Sequence, residues 1–235
     1  FLDVIERTRA RGGKVIIPSF ALERTQEVVF ALNRLLQDGR MAPIPVYVDS
    51  PLATNLTGVF RRHPECYDEE AVDFDLAHGD PFGFDMLRMI TDVEESKALN
   101  NVAEPVVIIS ASGMCEAGRV VHHLRNSIED RKNTVVIVGY QAQHTLGRRI
   151  VERRQRVKIF GVERDLNAEV EVLNAFSAHA DRDELLWWAE GCGEQVRRFF
   201  CVHGDEDQCE ALAGHLRQRG YQAEVPTRGS RVELG

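Results

Sequence analysis

The chain has 235 residues, 43% of them hydrophobic, and a formal net charge of −8 at pH 7. That suffices for one large domain or one and a half ordinary ones, and the acidic balance argues against a generic basic coat for nucleic acid. Its most apolar runs, VVIIS and TVVIVGY, fall far short of the roughly 20 residues that cross a bilayer. With no charged-then-apolar leader at the start, a cytoplasmic protein is expected.

Cys66, Cys115, Cys192, Cys201 and Cys209 form no C-x-x-C pair, so reduced, structural thiols are expected. Four β-branched runs, KVIIPSF, PVYVDS, PVVIIS and TVVIVGY, end in small or hydroxyl residues and pass into helical patterns. Strands alternating with amphipathic helices predict an α/β fold with a doubly wound, mostly parallel sheet. Ligands of such sheets gather outside the carboxyl ends of the strands. That edge carries Ser19, Asp49, Ser50, Ser110, Ser112, Tyr140 and Gln141.

Residues 61–105 are polar, with helical periodicity only in patches, and read as an excursion over the sheet in the manner of a lid. From about residue 156, VKIFGVERDLNAEVEVL alternates like antiparallel strands around a turn, where a different layer is expected to begin. The last stretch reads helix, strand, helix, strand. Asp181 with Glu184 and Asp205 with Gln208 are spaced as N-cap and N3 partners, and Gly191 and Gly220 as helix stops. Trp187 and Trp188, in the first of these helices, are expected in the core, as are Met114 and Cys115.

His203 ends the apolar run VRRFFCV just before a helix start, and His179 in FSAHAD precedes the Asp181 cap. Neutral imidazole at a strand end is a common metal ligand, although on position alone such a histidine is more often a hydrogen-bonded loop residue. The turn from Ser110 to Gly118 follows a strand and opens a helix, so its amides suit a phosphate; a plain tight turn is the other reading. The run from Arg148 to Lys158 reads as a solvated helix face. His122 and His123, adjacent on a helix, point apart and do not suit one metal.

The ordered series GGKVIIPSFALERTQE, YVDSPLA, DPFGF, ESKALN, ISASGMCEAGRVVHHL, NTVVIVGYQAQHTLGRR, FSAHAD and VHGDED resembles the β-CASP branch of the metallo-β-lactamase superfamily, nucleic-acid-cleaving enzymes. It is most similar to bacterial and archaeal RNA-processing members related to the pre-mRNA 3′-end cleavage endonuclease. The resemblance implies a β-CASP domain over residues 1–172, followed over 173–235 by the C-terminal βα part of a metallo-β-lactamase αββα fold. It implies a zinc-dependent ribonuclease acting on single-stranded RNA, with DNA a weaker expectation and a homodimer compatible.

By the same resemblance His179 protonates the departing ribose oxygen and Ser177 contacts the substrate phosphate, while Ser110, Ser112 and Gly113 are the phosphate candidates that the turn itself offers. His203 is implied as a ligand to one of two zinc ions that the attacking hydroxide bridges. The family's H-x-H-x-D-H loop has no counterpart here, since no H-x-H occurs, so the chain is expected to be an incomplete and inactive piece of the enzyme. A non-catalytic RNA-binding module and a domain for a small phosphorylated ligand are the alternatives. Glu23 and His144 stand where many members of the family carry glycine, so differently shaped loops are expected there, which keeps Arg24 and Thr145 out of the site.

Overall fold

The computed structural model describes residues 1–177, 179–193, 195–196 and 198–233. It divides into two compact units, Phe1–Ser177 and Ala178–Gly235.

The first unit begins with α1 (Leu2–Ala10), β1 (Val15–Pro18), α2 (Arg24–Gln37), β2 (Val46–Asp49) and α3 (Pro51–Phe60). It continues with α4 (Glu69–His78), β3 (Leu87–Ile90), α5 (Val93–Ala98), β4 (Val107–Ser110), α6 (Arg119–Ser127), β5 (Thr134–Ile137) and α7 (Leu146–Val151). The strands β6 (Arg156–Ile159), β7 (Val162–Asp165) and β8 (Glu169–Val172) close it.

The four β-branched runs are β1, β2, β4 and β5, and they lie in one parallel sheet of order β3-β2-β4-β1-β5-β8. Their side chains alternate between two cores. Ile16, Ile108, Val135 and Ile137 pack under α6 and α7 through Val120, Leu124, Leu146 and Ile150. Val15, Ile17, Val107, Ile109 and Val136 pack under α1 and α2 through Ile5, Val28, Val29 and Leu32. Burial on both faces is why these strands read as nearly continuous apolar runs.

Two expectations are corrected here. Segment 61–105 contributes the edge strand β3 paired to β2, so it is part of the sheet rather than a lid. LRMI is short, and its faces are only partly buried, which is how an edge strand escapes a pattern search. The hairpin β6–β7 is antiparallel as the alternation predicts, but β8 returns to pair parallel with β5. The hairpin is a two-stranded sheet of its own, and the chain then rejoins the main sheet instead of continuing a new layer.

The second unit contains α8 (Arg182–Gly191), β9 (Arg198–Phe200), α9 (Glu206–Gln218) and β10 (Gln222–Glu224), with β9 and β10 parallel. Asp181 accepts hydrogen bonds from the amides of Asp183 and Glu184, and Glu184 accepts from the Asp181 amide, a complete capping box. Asp205 takes the N-cap position of α9. Gly220, at φ 89°, ends α9, whereas the left-handed stop after α8 is Gly193 rather than Gly191. The core of this unit is a small cluster around Leu186, Ala189, Cys201, Cys209, Ala213 and Leu216.

Trp187 and Trp188 are not in that core; they are 76% and 60% exposed. Leu186 and Ala189 take the inward face of α8, and a ten-residue helix presents only about a third of its residues to one neighbouring layer. Cys115 is buried as expected, and all five cysteines are thiols. Among the described residues, no helix is long and apolar enough to cross a membrane.

Candidate functional site

In the second unit, β9 delivers the chain to His203, which is exposed and adopts a left-handed backbone at φ 67°. A non-glycine residue in that region is uncommon and is held there by its surroundings. The next residue, Gly204, explains the close turn: a Cβ on it would lie 2.9 Å from the Cys209 sulfur on α9. His179 and His203 line the same cleft, of about 740 Å³, with Trp188, Phe199 and Leu212 among its apolar walls. His215 of α9 also lines it, and sequence reasoning missed this residue because nothing in its helix marks it out.

The arrangement offers imidazole groups in a partly apolar cleft, suited to proton donation and to ligation. Among the described residues, no group of three or more His, Cys, Asp or Glu side chains is placed to hold a metal ion. A catalytic zinc takes about three protein ligands, so these residues do not by themselves fit a zinc site.

In the first unit the carboxyl ends of the strands carry a knitted set of loops. Ser110 is buried and its hydroxyl donates to the Asp49 carbonyl at 2.9 Å. Ser112 is half-buried and Gly113 buried, while Glu116, Ala117 and Gly118 are exposed. The turn is closed internally, the Ser112 amide donating to Ala117 and the Val120 amide to Ala111, both at 3.2 Å. A phosphate approaching this turn therefore meets Ser112 and the exposed rim before it meets Ser110. Ser177 is exposed at the end of the unit.

Asp49, fully buried, anchors these loops. It accepts from Ser96 Oγ at 2.6 Å, from Arg119 at 2.7 Å and from His123 Nε2 at 2.6 Å. Burial pushes its carboxyl up, but the bonds from His123, Ser96 and Arg119 outweigh this and hold it below the usual carboxylate range. His123 is thus a buried partner of Asp49, while His122 packs against the Phe160 ring, so the two point apart as helix geometry requires. The Cys115 thiol is pushed up by burial, which makes it packing rather than a thiolate. Charges of the 148–158 run pair among themselves and with neighbours, Arg148 and Arg154 with Glu152 and Arg156 with Asp165.

Glu23 and His144 both carry positive φ, 63° and 70°. The loops keep the backbone that glycine would favour rather than taking another shape. Arg24 pairs with Glu27, and Thr145 caps α7 by accepting from the Arg148 amide. Both have structural roles.

A sequence model of the Beta-Casp domain matches residues 25–150, and one of the Zn-dependent metallo-hydrolase RNA specificity domain matches residues 163–226. The chain belongs to the Beta-Casp family. Ribonuclease TTHA0252 of Thermus thermophilus is 38% identical over 234 residues, covering 100% of this chain and 53% of its own length. The transcription termination factors FttA of Methanosarcina mazei and Thermococcus kodakarensis are 32% and 28% identical, covering 92% and 99% of this chain and 35% and 37% of their own. The chain thus spans about half the length of the first relative and about a third of the other two. The Beta-Casp match takes in the Ser110–Gly118 turn and its Asp49 anchor. His179 and His203 both fall in the RNA specificity match.

Proposed function

We propose that this chain is the RNA-recognising part of a zinc-dependent, cytoplasmic ribonuclease, with residues 1–172 as its β-CASP domain and 173–235 as the closing part of its metallo-β-lactamase domain. The observation that carries the reading is the shared cleft of His179 and His203 inside the segment matched by the RNA specificity domain. His179 donates a proton to the departing ribose oxygen, a role worth about 10²–10⁴ in rate for a positioned acid. Ser177, Ser112 and Gly113 hold substrate phosphates, with Ser110 behind them shaping the turn. His203 is one zinc ligand, the others coming from residues beyond those described.

RNA is the proposed partner, with DNA weaker, and the relative named a ribonuclease supports this choice. A second reading, RNA binding without cleavage, is favoured by the relatives named as transcription termination factors. The test is an anisotropy titration of the chain with a labelled single-stranded RNA of about 12 nucleotides and with a mononucleotide. Tighter binding of the polymer, weakening as salt rises, is expected. Equal affinity for the mononucleotide would overturn the RNA reading in favour of a small phosphorylated ligand.

A further inference from the structure

Phe20 and Tyr140, large aromatic side chains at the carboxyl edge of the six-stranded sheet, belong to neither core. Phe20, just past β1, is 46% exposed, and its ring packs on a glycine. It rests on Gly113 of the β4–α6 turn so closely that a Cβ on Gly113 would stand 2.9 Å from two ring carbons. The backbone beneath is pinned as well. The Phe20 carbonyl accepts from the Thr25 hydroxyl at 2.7 Å, and the Ser19 amide donates to the Ser110 carbonyl at 3.0 Å. On the far side, Gln141 Nε2 bridges the carbonyls of Gly113 and Gly139 at 2.9 and 3.2 Å.

The place is set by topology. The helix after β1 packs on one face of the sheet and the helix after the adjacent β4 on the other. Neighbouring strands whose chains leave in opposite directions open a crevice at their carboxyl ends, where open α/β sheets bind ligands. Phe20 and Gly113 meet there. Single exposed apolar side chains are ordinary on protein surfaces. This one differs in packing on the glycine of a neighbouring turn, in standing at the crevice and in touching the turn suited to a phosphate.

We propose that Phe20 is a base-stacking residue: a nucleobase of single-stranded RNA stacks on its exposed ring while the adjacent phosphate lies over Ser112 and Gly113. This rests on the RNA reading above. It also supplies what the net charge of −8 withholds, an attraction for a polyanion that does not depend on surface charge. Stacking tolerates every base, so little base preference is expected at this position.

The experiment is a double-mutant cycle with the chain as it stands. Binding of a single-stranded RNA is measured for the wild type, Phe20→Ala, Phe20→Leu and Phe20→Trp, with intact RNA and with RNA carrying one abasic nucleotide at each position in turn. Loss of the ring is expected to weaken binding about tenfold in both Phe20→Ala and Phe20→Leu, with Phe20→Trp close to wild type. One abasic position should weaken the wild type by a similar factor and leave Phe20→Leu nearly unchanged. Phe20→Leu keeps an apolar side chain against Gly113, so it separates stacking from support of the turn. Equal binding by wild type and Phe20→Leu, or abasic losses of equal size in both, would overturn the stacking role alone. A wild-type chain that binds no RNA would overturn the RNA reading and this inference with it.

Discussion

In the first unit each central strand sends alternate side chains into two cores, and the polar groups at the strand ends are tied to one another beneath the surface. In the second, two short parallel strands and two helices share one small cluster, and two tryptophans on α8 stay in solvent. Both were read from the same kind of apolar periodicity. Periodicity reports that a face is apolar, but whether the face is covered depends on how many layers are available to cover it. A six-stranded sheet with helices on both sides buries its central strands on both faces, and a two-stranded one does not.

The contrast is most severely tested at Asp49. Asp49→Ala removes the carboxylate that holds buried His123 and Arg119, and breaking a buried charge pair from one side costs about 3–5 kcal/mol. Both tryptophans lie in the second unit, so their fluorescence reports that unit while circular dichroism is dominated by the first. The urea transition followed by circular dichroism is expected to fall sharply, with the fluorescence transition unmoved. Equal shifts in both probes would show that the two units unfold as one, and the comparison would lose its basis.

The same carboxylate gives a pH test. Because its folded-state value is depressed, its stabilising contribution is complete above the ordinary carboxylate pKa of about 3.9 and is lost as pH falls through the folded value. Stability of the first unit should therefore hold at neutral and mildly acid pH and drop below about pH 4. Asp49→Asn should be less stable throughout and should flatten that drop. An acid profile identical to wild type would remove Asp49 as the titrating anchor.

How much of this was legible differs by link. Strands β1, β4 and β5 were legible because full burial leaves a nearly unbroken β-branched run, and β2, buried except at Tyr47, keeps enough of the same pattern. Edge strand β3 was not, because half-burial leaves LRMI without a pattern. Asp49 could be placed at the strand edge, but its partners Ser96, Arg119 and His123 lie 47, 70 and 74 residues away, and no local pattern links such distances. His179 and His203 stood out only as strand-end and cap-side histidines. Their common cleft is a tertiary fact.

A smaller effect is expected at Glu23, which enters α2 with φ 63° and ψ −65°. A side chain in such a region costs on the order of 1–3 kcal/mol, part of which glycine returns through its own greater chain entropy when unfolded. Glu23→Gly is therefore expected to stabilise the first unit by about 1 kcal/mol, a rise of roughly 2–4 °C in Tm. The fluorescence-detected transition should again stay where it is. A destabilised variant would mean that the glycine-like backbone at Glu23 is supported by contacts of the side chain itself.

The smallest change is expected where a core reading would place one of the largest. Were Trp187 in the core, its replacement would cost about 3–5 kcal/mol. At 76% exposed, Trp187→Gln should instead alter stability by no more than about 0.5 kcal/mol, as other surface substitutions do. Trp188 differs by one position on α8 but touches Phe199 edge-on at 6.4 Å and lines the histidine cleft, so Trp188→Gln should cost more than Trp187→Gln. Thermal melts of the two variants side by side separate the possibilities. Equal, large losses would mean that the outward face of α8 is covered in solution, and the second unit would then be as fully packed as the first. A near-zero loss at Trp187 with a measurable one at Trp188 would fix the boundary of its core between adjacent residues of one helix.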